Sequence, residues 1–401
     1  MPCCKCKEFS WHDRPEDMVY TDEADKKEYC LFHAPAEHKG MSDKDFNAQV
    51  FERIYDFKAK TKTDDADKLS NLSGTIFPGD ISFNKYNAEN PLPWISFRQA
   101  TFSGKANFLT SSFSGEANFC GTTFNGEALF LVAKFMGDTD FGGATFSGQA
   151  IFLGAWFSGK AVFWRAKFND KANFWGTTFN VEALFEELKA DKNALLMHSL
   201  KRASLANLSF TSMDTDCFSF KGCDDWPDRL WPETNEEPDY KACEELYRSL
   251  KQKAASEHDQ PMVSKWHYRE KLMALEQIKE KRGWIGSLGL TGLYYWCSGF
   301  GEDPAQASRV LAGLLVVAFL ALCGFKLGET GHSWQPAWDK ILEIPAELLA
   351  LIPFVKTEAK AFSNASGVLA PAKAIVTGLL HILLAAQIAL FAFALRNRFR
   401  R

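Results

Sequence analysis

The sequence predicts an all-β coil with four sides in the middle of the chain, followed by an α-helical hairpin and two membrane-crossing helices. Three observations support this fold class. A phenylalanine recurs at alternating steps of five and six residues over 97–185, two long apolar runs lie within 308–401, and two pairs of metal-ligand residues lie within 1–45. The length of 401 residues is enough for two or three such domains.

The composition narrows the classes of function. The formal net charge of −4 argues against a chain that binds nucleic acid along its whole length. The start of the chain, "MPCCKCKEFSW", has no apolar core of a secretory signal, so we expect the ten cysteines to be reduced or metal-bound and not paired as disulfides. No Ser/His/Asp set or carboxylate pair recurs along the coil, and we therefore expect a protein that is not an enzyme.

The N-terminal region, 1–45, is predicted to be a small module with the ligand spacing of a zinc ribbon. Two residues separate Cys3 from Cys6, and two separate Cys30 from His33. Three thiolates and one imidazole complete a tetrahedral shell, so we expect a structural Zn²⁺ ion and not a catalytic one. Two alternatives stay open: Cys4 takes the place of Cys3, or the cysteines are free thiols near a frayed terminus.

The phenylalanine spacing excludes a simple helix and a simple strand. A helix would carry one unfavourable glycine in nearly every 11-residue unit, at a cost of about 1 kcal/mol each. A flat strand fails because a step of five residues would send successive rings to opposite faces. The spacing fits a chain that turns a corner after each phenylalanine, so that each ring points inward from one side of a square coil.

The coil is predicted to extend over 72–226, with its first cap within 72–96. Small residues such as Ala106 and Ala117 stand two positions before nearly every phenylalanine and suit a crowded interior. We expect the glycine of "FSGK" and "FNGE" to supply the positive φ of a tight corner. Two 11-residue units make one turn, which gives about four turns over 97–185. The segment of about 186–204 breaks the pattern and is predicted to be a helical insertion.

Three segments carry a resemblance to a known family: "ANFLT" at 106–110, "ANFCG" at 117–121 and "ANFWG" at 172–176. They resemble the pentapeptide repeat, whose consensus is Ala-(Asp/Asn)-Leu/Phe-x-x and whose fold is a right-handed quadrilateral β-helix. The extra residue in alternate repeats departs from that consensus. Some members imitate DNA and inhibit topoisomerases, which requires an acidic surface. The seven basic and six acidic residues over 97–185 disfavour that function.

Helices are predicted after the coil. An α-helical hairpin is expected over 238–282, because each of its two segments carries apolar residues along one helical face. The segment 283–307 contains the aromatic run "LYYWCSGF". Aromatic side chains favour the boundary between lipid and water, so this segment is predicted to lie at a membrane interface.

Two transmembrane helices are predicted at about 308–327 and 373–395, each an apolar run bounded by basic residues. Basic clusters at 279–282 and 396–401 flank the pair. By the positive-inside rule we expect both termini in the cytoplasm and the protein in the bacterial inner membrane. The region is similar to the membrane part of pentapeptide-repeat proteins proposed to be ion channels. It lacks a Thr-Val-Gly-Tyr-Gly filter, so potassium selectivity is not supported.

Between the spans, a segment at about 338–355 is too short and too interrupted to cross, and it is predicted to be a re-entrant or interfacial helix. Polar groups in an apolar region are costly unless they are paired or hydrated. Glu347, His381 and Gln387 are therefore candidates to line a pore. The alternative is that His381 and Gln387 make interhelical hydrogen bonds and that Glu347 lies among the lipid headgroups.

Two functions from different classes remain. In the first, a membrane-anchored cytoplasmic scaffold or sensor oligomerises through its two spans and conducts ions. The alternative is a non-conducting, membrane-tethered interaction protein, with a DNA-mimicking topoisomerase inhibitor as the less favoured third. The expected partners are the lipid bilayer, further copies of the chain and an unknown protein on the β-helix surface, and no nucleic acid.

Overall fold

The structure is a computed structural model that describes residues 3–11, 18–24, 26–60, 70–209, 217–220, 223, 225–234, 237–329, 344–352 and 370–399. The chain divides into two compact units, Met1–Leu246 and Tyr247–Arg401.

The N-terminal module packs on the first turn of the coil. Phe46 is fully buried, and its ring centroid lies 5.8 Å from that of Phe32 and 6.1 Å from that of Phe77 in the coil. The amide of Ile76 donates to the carbonyl of Phe32 over 2.9 Å, so the module also continues the hydrogen bonding of the coil's open edge. Its elements are helix α1 (Cys4–Glu8), an antiparallel hairpin (Met18–Thr21 and Glu28–Cys30), a 3-10 turn (Ala36–His38) and helix α2 (Asp43–Lys60).

The middle of the chain is a parallel β-solenoid of about six turns with four faces, which confirms the predicted four-sided coil. Each strand is two residues long and pairs with the strands one turn before and after it. The first face holds Ser70–Asn71, Ile95–Ser96, Ala117–Asn118, Thr139–Asp140, Ala161–Val162, Ala183–Leu184 and Leu208–Ser209. The second holds Ile76–Phe77, Thr101–Phe102, Thr123–Phe124, Thr145–Phe146, Lys167–Phe168 and Lys189–Ala190. The third holds Ile81–Ser82, Ala106–Asn107, Ala128–Leu129, Ala150–Ile151, Ala172–Asn173, Leu195–Leu196 and Phe218–Ser219, and the fourth holds Ser112–Phe113, Lys134–Phe135, Trp156–Phe157 and Thr178–Phe179.

The register shows that each turn in the middle of the solenoid contains 22 residues, whereas the first turn contains 25, since Ser70 pairs with Ile95. Ala117 pairs with Ile95 on one side and with Thr139 on the other, 22 positions away in each direction. Two 11-residue units therefore make one turn, as the phenylalanine spacing predicts. Each residue type consequently recurs at the same place in successive turns.

The interior is built from four columns of stacked phenylalanine rings, one column for each face. On the second face, Phe102, Phe124 and Phe146 lie one above the other, with centroids 5.0 and 4.9 Å apart and nearly parallel planes. Rings of neighbouring columns meet edge to face, as between Phe119 and Phe130 at an interplanar angle of 83°. Offset stacking and edge-to-face contacts are both favourable for aromatic pairs, so the columns support one another.

The glycines of "FSGK" and "FNGE" do not have the expected positive φ angles. Gly104, Gly126 and Gly148 follow the phenylalanines of the second face, and none of them has a positive φ. They form a column in which the backbones of successive turns approach closely. A Cβ atom on Gly126 would lie 2.6 Å from the backbone of Gly104. These glycines are required for the close approach of the turns, because any side chain would force them apart.

The positive φ angles occur at other corners, two residues after the phenylalanines that follow the first and third faces. Glycines occupy four of these positions, including Gly143 and Gly154. Elsewhere the residue is not glycine, as at Thr110, Val132 and Arg165. The sequence pattern could not indicate these corners, because their residue type varies from turn to turn.

The predicted helical insertion at about 186–204 is wrong over most of its length. The segment continues the solenoid through the strands Lys189–Ala190 and Leu195–Leu196, and only Arg202–Ala206 (α3) is helical. The phenylalanine spacing ends here, but Leu195 and Met197 are fully buried and take the inward positions. The hydrogen-bonded ladder therefore persists with aliphatic side chains in place of aromatic ones.

The remaining elements are helical. Trp231–Thr234 (α4) and Tyr240–Ser256 (α5) are followed by Gln260–Arg282 (α6), a 3-10 turn (Gly283–Leu288) and Leu290–Ser298 (α7). Then come Pro304–Glu329 (α8), Ile344–Ala350 (α9) and Ala370–Phe399 (α10). The re-entrant or interfacial helix expected at about 338–355 is present only as α9, and the rest of that segment lies largely outside the described residues.

Helices α8 and α10 pack against each other in antiparallel directions, with α9 beside them. Their shared core contains Ala318 and Leu322 of α8, Leu380 and Leu384 of α10, and Ile344 of α9. By length and composition, α8 and α10 are the two described helices that are able to cross a membrane.

Candidate functional site

The structure brings the four predicted metal ligands together. Cys3 and Cys6 lie at the start of α1 and within it, while Cys30 ends the hairpin and His33 lies in the turn that follows. All four side chains are buried, and their ligand atoms lie within 4.8 Å of one another. The Nδ1 atom of His33 is 3.5, 3.5 and 3.2 Å from the Sγ atoms of Cys3, Cys6 and Cys30.

These separations fit a tetrahedral ion. Zinc–sulfur bonds of about 2.3 Å at tetrahedral angles place two sulfur atoms about 3.8 Å apart. The Sγ atoms of Cys6 and Cys30 are 3.6 Å apart. A divalent cation therefore fits between the four groups with little movement. With four protein ligands the shell has no open position, which is the arrangement of structural zinc sites.

The solenoid supports the candidate metal site. The Nε2 atom of His33 lies 3.0 Å from the carbonyl oxygen of Ser73, so Nε2 donates a hydrogen bond and Nδ1 is left free to bind a cation. Trp11 packs edge-on against the imidazole at 4.7 Å. Gly74, which follows Ser73, has no room for a side chain, because a Cβ atom there would lie 2.3 Å from the ring of Phe9. Sequence analysis missed Ser73, since it acts through its backbone.

Hydrogen bonds among the four groups shift the pKa values of the cysteines in opposite directions: those with Cys3 and Cys30 raise the pKa of Cys6. Hydrogen bonds from Cys30 and Cys6 hold the pKa of Cys3 far below its usual value. Burial lowers the pKa of His33, but hydrogen bonds to the sulfur atoms of Cys3 and Cys30 outweigh it and raise the pKa to about 9. A cation that is thiolate-bound replaces the imidazole proton, so metal affinity is expected to rise with pH.

Lys39 lies beside this centre as a buried basic group. Its Nζ atom donates to the carbonyls of Leu31 and Phe32 and sits 4.2 Å from the ring centroid of Phe46. Burial lowers the pKa of Lys39 to about 7, while the nearby charge of Cys30 acts in the opposite direction. Three thiolates around a divalent ion would leave one negative charge in excess, which a protonated Lys39 would offset.

Cys4 lies outside the cluster. The four groups that come together are those of Cys3, Cys6, Cys30 and His33. Cys4 is half-buried, and burial raises the pKa of its thiol. The geometry thus selects Cys3 over Cys4 as the first candidate ligand.

The polar residues of the apolar helices do not converge on one point. Lys326 of α8 forms a 2.8 Å ion pair with Glu347 of α9. The Nδ1 atom of His381 lies 2.9 Å from the carbonyl oxygen of Leu351, at the end of α9. Gln387, about 9 Å farther along α10, is bound elsewhere. The first two contacts hold the short helix against the long ones.

Gln387 is a buried side chain that bonds to two neighbouring helices at one end of the helix pair. Its Nε2 atom donates to the carbonyls of Cys297 in α7 and Ala307 in α8, over 2.8 and 2.9 Å. The side chain is almost fully buried. Gln387 therefore joins three helices at one level, which agrees with an interhelical hydrogen-bonding role.

The family comparison bears on the solenoid. The family model described as "Pentapeptide repeats (9 copies)" matches residues 92–131 and 133–187. This segment is a pentapeptide-repeat domain. No curated protein and no solved structure matches the chain. The family match ends just before the pairing register of the third face changes: Ala172 pairs with Leu195, one residue beyond the 22-residue repeat.

The outer surface of the pentapeptide-repeat domain carries balanced charges. Three ion pairs each join residues 22 positions apart, on adjacent turns: Lys105 with Glu127, Lys160 with Glu182, and Arg165 with Glu187. A surface that imitates DNA would instead present acidic groups in excess. Several large apolar side chains are also exposed on this domain, and spacing analysis did not single them out. They are Val132, Met136, Trp156, Trp164, Trp175 and Val181.

Proposed function

We propose that the chain is a membrane-anchored pentapeptide-repeat scaffold, held in the bilayer by α8 and α10. The outward surfaces of these helices carry the argument. Only 17% of the apolar window in α8 and 22% of that in α10 is buried within the chain. Side chains such as Val317, Leu320 and Ile382 are more than half exposed. A core helix of a soluble domain would bury them, whereas a bilayer provides the apolar surroundings that they need.

The polar contacts support the same placement. Lys326 and Glu347 neutralise each other, and His381 and Gln387 find carbonyl partners within the helix group. Pairing of this kind is what lipid requires of polar side chains. Asn397, near the end of α10, donates to the carbonyl of Gly301, just before α8 begins. Both outer ends of the helix pair therefore lie on the same side, as the expected cytoplasmic location of both termini requires.

Assembly of several copies is part of the proposal. Two long helices cannot enclose a pore, so conduction needs an oligomer. Gly313 and Gly324 of α8 and Gly378 of α10 are not used in packing within the chain, because a Cβ atom on any of them would meet nothing within 4 Å. Small residues allow close approach of helices in membranes. We assign these positions to contacts between copies.

We further propose that the oligomer conducts ions. Within the described part of the chain, Oε2 of Glu347 is buried and accepts no hydrogen bond, although Oε1 pairs with Lys326. A carboxylate oxygen left over in an apolar region is a natural ligand for a passing cation. His381, which binds the end of α9, would keep this group in position.

Two measurements test the assembly and the pore separately. The number of subunits tests the assembly, and the ion current tests the pore. The full chain is cross-linked in detergent and in vesicles, and then reconstituted into planar bilayers. We expect an oligomer that Gly313→Leu weakens, while Val317→Leu, an exposed matched position, leaves it intact. Currents are expected to fall with Glu347→Gln and to change selectivity when Lys326 and Glu347 are exchanged. A monomer contradicts the pore, and an oligomer without current favours the non-conducting tether.

We also propose that Cys3, Cys6, Cys30 and His33 bind one structural Zn²⁺ ion, which fixes the N-terminal module. Bound zinc supplies a cross-link between the two ligand pairs. Metal analysis of the purified chain is expected to find about one zinc per chain, lost with Cys30→Ser or His33→Ala. Cys4→Ser is the matched control and should keep the metal. Retention of zinc in the Cys30 and His33 variants contradicts the assignment.

The solenoid surface is proposed to bind a protein partner, and we infer a binding function without catalysis and without nucleic acid. The balanced ion pairs on adjacent turns support this over DNA mimicry. Inhibition of a topoisomerase by the purified chain would instead favour DNA mimicry over binding of another protein partner.

A further inference from the structure

A shelf of exposed apolar side chains lies before the first long helix. It is formed by the 3-10 turn Gly283–Leu288 and by α7. Trp284 and Leu290 are 74% and 87% exposed. Four more large apolar side chains on the shelf are at least half exposed: Ile285, Leu288, Leu293 and Trp296. Such a concentration on a short segment marks a surface that another phase or molecule covers.

The shelf is fixed to both long helices at the same end. Gln306, in the first turns of α8, donates to the carbonyls of Tyr295 and Trp296 over 2.8 and 2.9 Å. Gln387 of α10 donates to the carbonyl of Cys297. Hydrogen bonds from both helices therefore hold α7 beside the ends of the spans. If α8 and α10 cross the bilayer, this end of the pair lies at one interface, and the shelf lies there with it.

Basic side chains surround the shelf. Lys281 and Arg282 end α6, directly before Trp284, and both are exposed. Arg396 and Arg398 are exposed near the end of α10, where Asn397 binds the carbonyl of Gly301, three residues after α7.

Further charged residues of both signs lie near the shelf. Arg309, exposed in the first turns of α8, adds another cation. One acidic side chain, Glu280, is exposed beside Lys281, whereas Glu276 already forms a 2.6 Å ion pair with Lys279.

Glu302 and Asp303, just after α7, are half-buried and accept hydrogen bonds from Asn397 and from the amides of Ala305 and Gln306. The five exposed basic groups therefore still exceed the three acidic groups Glu280, Glu302 and Asp303 at this level.

We propose that this shelf and its basic border form a binding site for anionic phospholipid. The apolar side chains insert among the acyl chains, and Lys281, Arg282, Arg309, Arg396 and Arg398 contact the phosphate groups. The combination of exposed tryptophans with neighbouring cations matches a surface that is apolar on one side and negatively charged on the other. The inference rests on the proposed membrane insertion of α8 and α10, and it adds the lipid class.

Quenching by brominated lipids tests the site in the full chain. The protein is reconstituted in vesicles of one composition, a mixture of phosphatidylglycerol and phosphatidylcholine. The bromine atoms are carried either by the first lipid or by the second. The signal of Trp284 and Trp296 is taken as the difference between the natural chain and the Trp284→Phe/Trp296→Phe variant. We expect this signal to be quenched more strongly by brominated phosphatidylglycerol.

Charge variants show whether the preference comes from the basic border. Lys281→Gln with Arg282→Gln, and separately Arg396→Gln with Arg398→Gln, are each expected to reduce the preference, by about fivefold for each cation lost. Lys134→Gln with Lys171→Gln, two exposed positions on the solenoid, is the matched control and should leave it unchanged.

Two outcomes count against different claims. Equal quenching by both brominated lipids overturns the lipid site but leaves the membrane insertion standing. Lack of quenching by either lipid contradicts the insertion itself.

Discussion

Single residues in the solenoid interior combine small volume with hydrogen bonding. Thr122 and Thr177 occupy the crowded position two residues before a phenylalanine, and both are buried. Their hydroxyl groups donate to the carbonyls of Phe97 and Phe152, over 2.7 and 2.8 Å. A buried hydroxyl is tolerated because it has a partner. The sequence predicted small residues here, but the hydrogen bonds explain why threonine is acceptable where alanine is more frequent.

Val132 is the residue for which we predict a stabilising substitution. Its φ of +55° is costly for a β-branched residue, by about 1–2 kcal/mol. Gly154 and Gly176 occupy the same corner in the next two turns. Val132→Gly is therefore expected to raise the free energy of unfolding by about 0.5–1 kcal/mol, after the entropic cost of glycine. Urea unfolding of the full chain, followed by the β-sheet circular dichroism signal, measures the change.

Gly154→Val is the reverse substitution one turn later, and it should lower the stability by a similar amount. The nearest atom to its added Cβ would be a methyl carbon of Val132 at 3.7 Å, so the Cβ atom itself causes no clash. A loss of stability in Val132→Gly would show that this corner is not strained.

The strands of the solenoid pair only because successive turns lie close together. The column of Gly104, Gly126 and Gly148 sets how near successive turns lie. We predict that Gly126→Ala destabilises the solenoid by about 1–3 kcal/mol, because the added methyl group overlaps the backbone below it. Thermal unfolding followed by circular dichroism measures the effect.

Gly143→Ala separates this cause from backbone strain. Gly143 has a φ of +65° and open space around its Cβ position, so the substitution adds strain without a clash. A cost of about 1 kcal/mol is expected there. If Gly126→Ala costs less than Gly143→Ala, close approach is not what requires glycine in the column.

Helices α5 and α6 are joined by a buried carboxylate. Glu270 is almost fully buried and pairs with Lys251 and with Arg248, the latter over 3.1 Å. Burial raises the pKa of Glu270, but hydrogen bonds and charge from Lys251 and Arg248 outweigh it and lower the pKa below its usual value of 4.5. The stabilisation is therefore complete above pH 4.5 and is lost as the pH falls through the lower folded-state pKa.

Glu270→Gln is predicted to lower the stability of the helical hairpin by about 1–2 kcal/mol at neutral pH. Melting curves at neutral pH and in acid below the folded-state pKa check both the size and the pH dependence. Glu276→Gln, which removes a half-exposed pair with Lys279, should have little effect, because solvent screens such a pair. A difference between Glu270→Gln and the natural chain that persists in acid would argue against this account.

The sequence predicted the secondary-structure elements whose residues repeat at a short and regular spacing. The phenylalanine spacing alone indicates the coil and its 22-residue turn, since every ring repeats the same environment. It failed over 186–204, where Leu195 and Met197 replace the rings and the backbone ladder continues without the signal. The long apolar helices were also evident, because their composition is continuous. The contact of α9 with Lys326 was not, because it joins residues distant in sequence.

At the scale of the whole molecule, the solenoid supports the candidate metal site of the N-terminal module, since Ser73 binds His33. The ligand set was predictable, because Cys3-x2-Cys6 and Cys30-x2-His33 are local patterns. Its support by Ser73 was not, since a carbonyl group carries no sequence signature. The same limit applies to Gln387, whose two partners lie 80 and 90 residues away.

Removal of the proposed zinc ion by a chelator is predicted to loosen the N-terminal module without unfolding the solenoid. The amide of Ile76 donates to Phe32 in the module and should exchange hydrogen faster. The amides of Phe141 and Phe163 lie in the middle turns, bonded to Val162 and Leu184, and should be unaffected. Hydrogen exchange followed by mass spectrometry measures both. Faster exchange in the middle turns would show that the metal holds the whole unit.

The repeat of 22 residues has a consequence for how such a domain changes size. Ala117, Thr139 and Ala161 occupy equivalent places on the first face. Deleting one complete turn would therefore join two ends that already fit the same neighbours, and duplicating one would do the same. Adding or removing one turn moves the N-terminal module by about 4.8 Å along the solenoid axis. The same types of contact remain in the interior. Domain length is thus adjustable in whole turns. Departures from 22 residues occur towards the two ends of the solenoid, where Ser70 pairs with Ile95 and Ala172 pairs with Leu195.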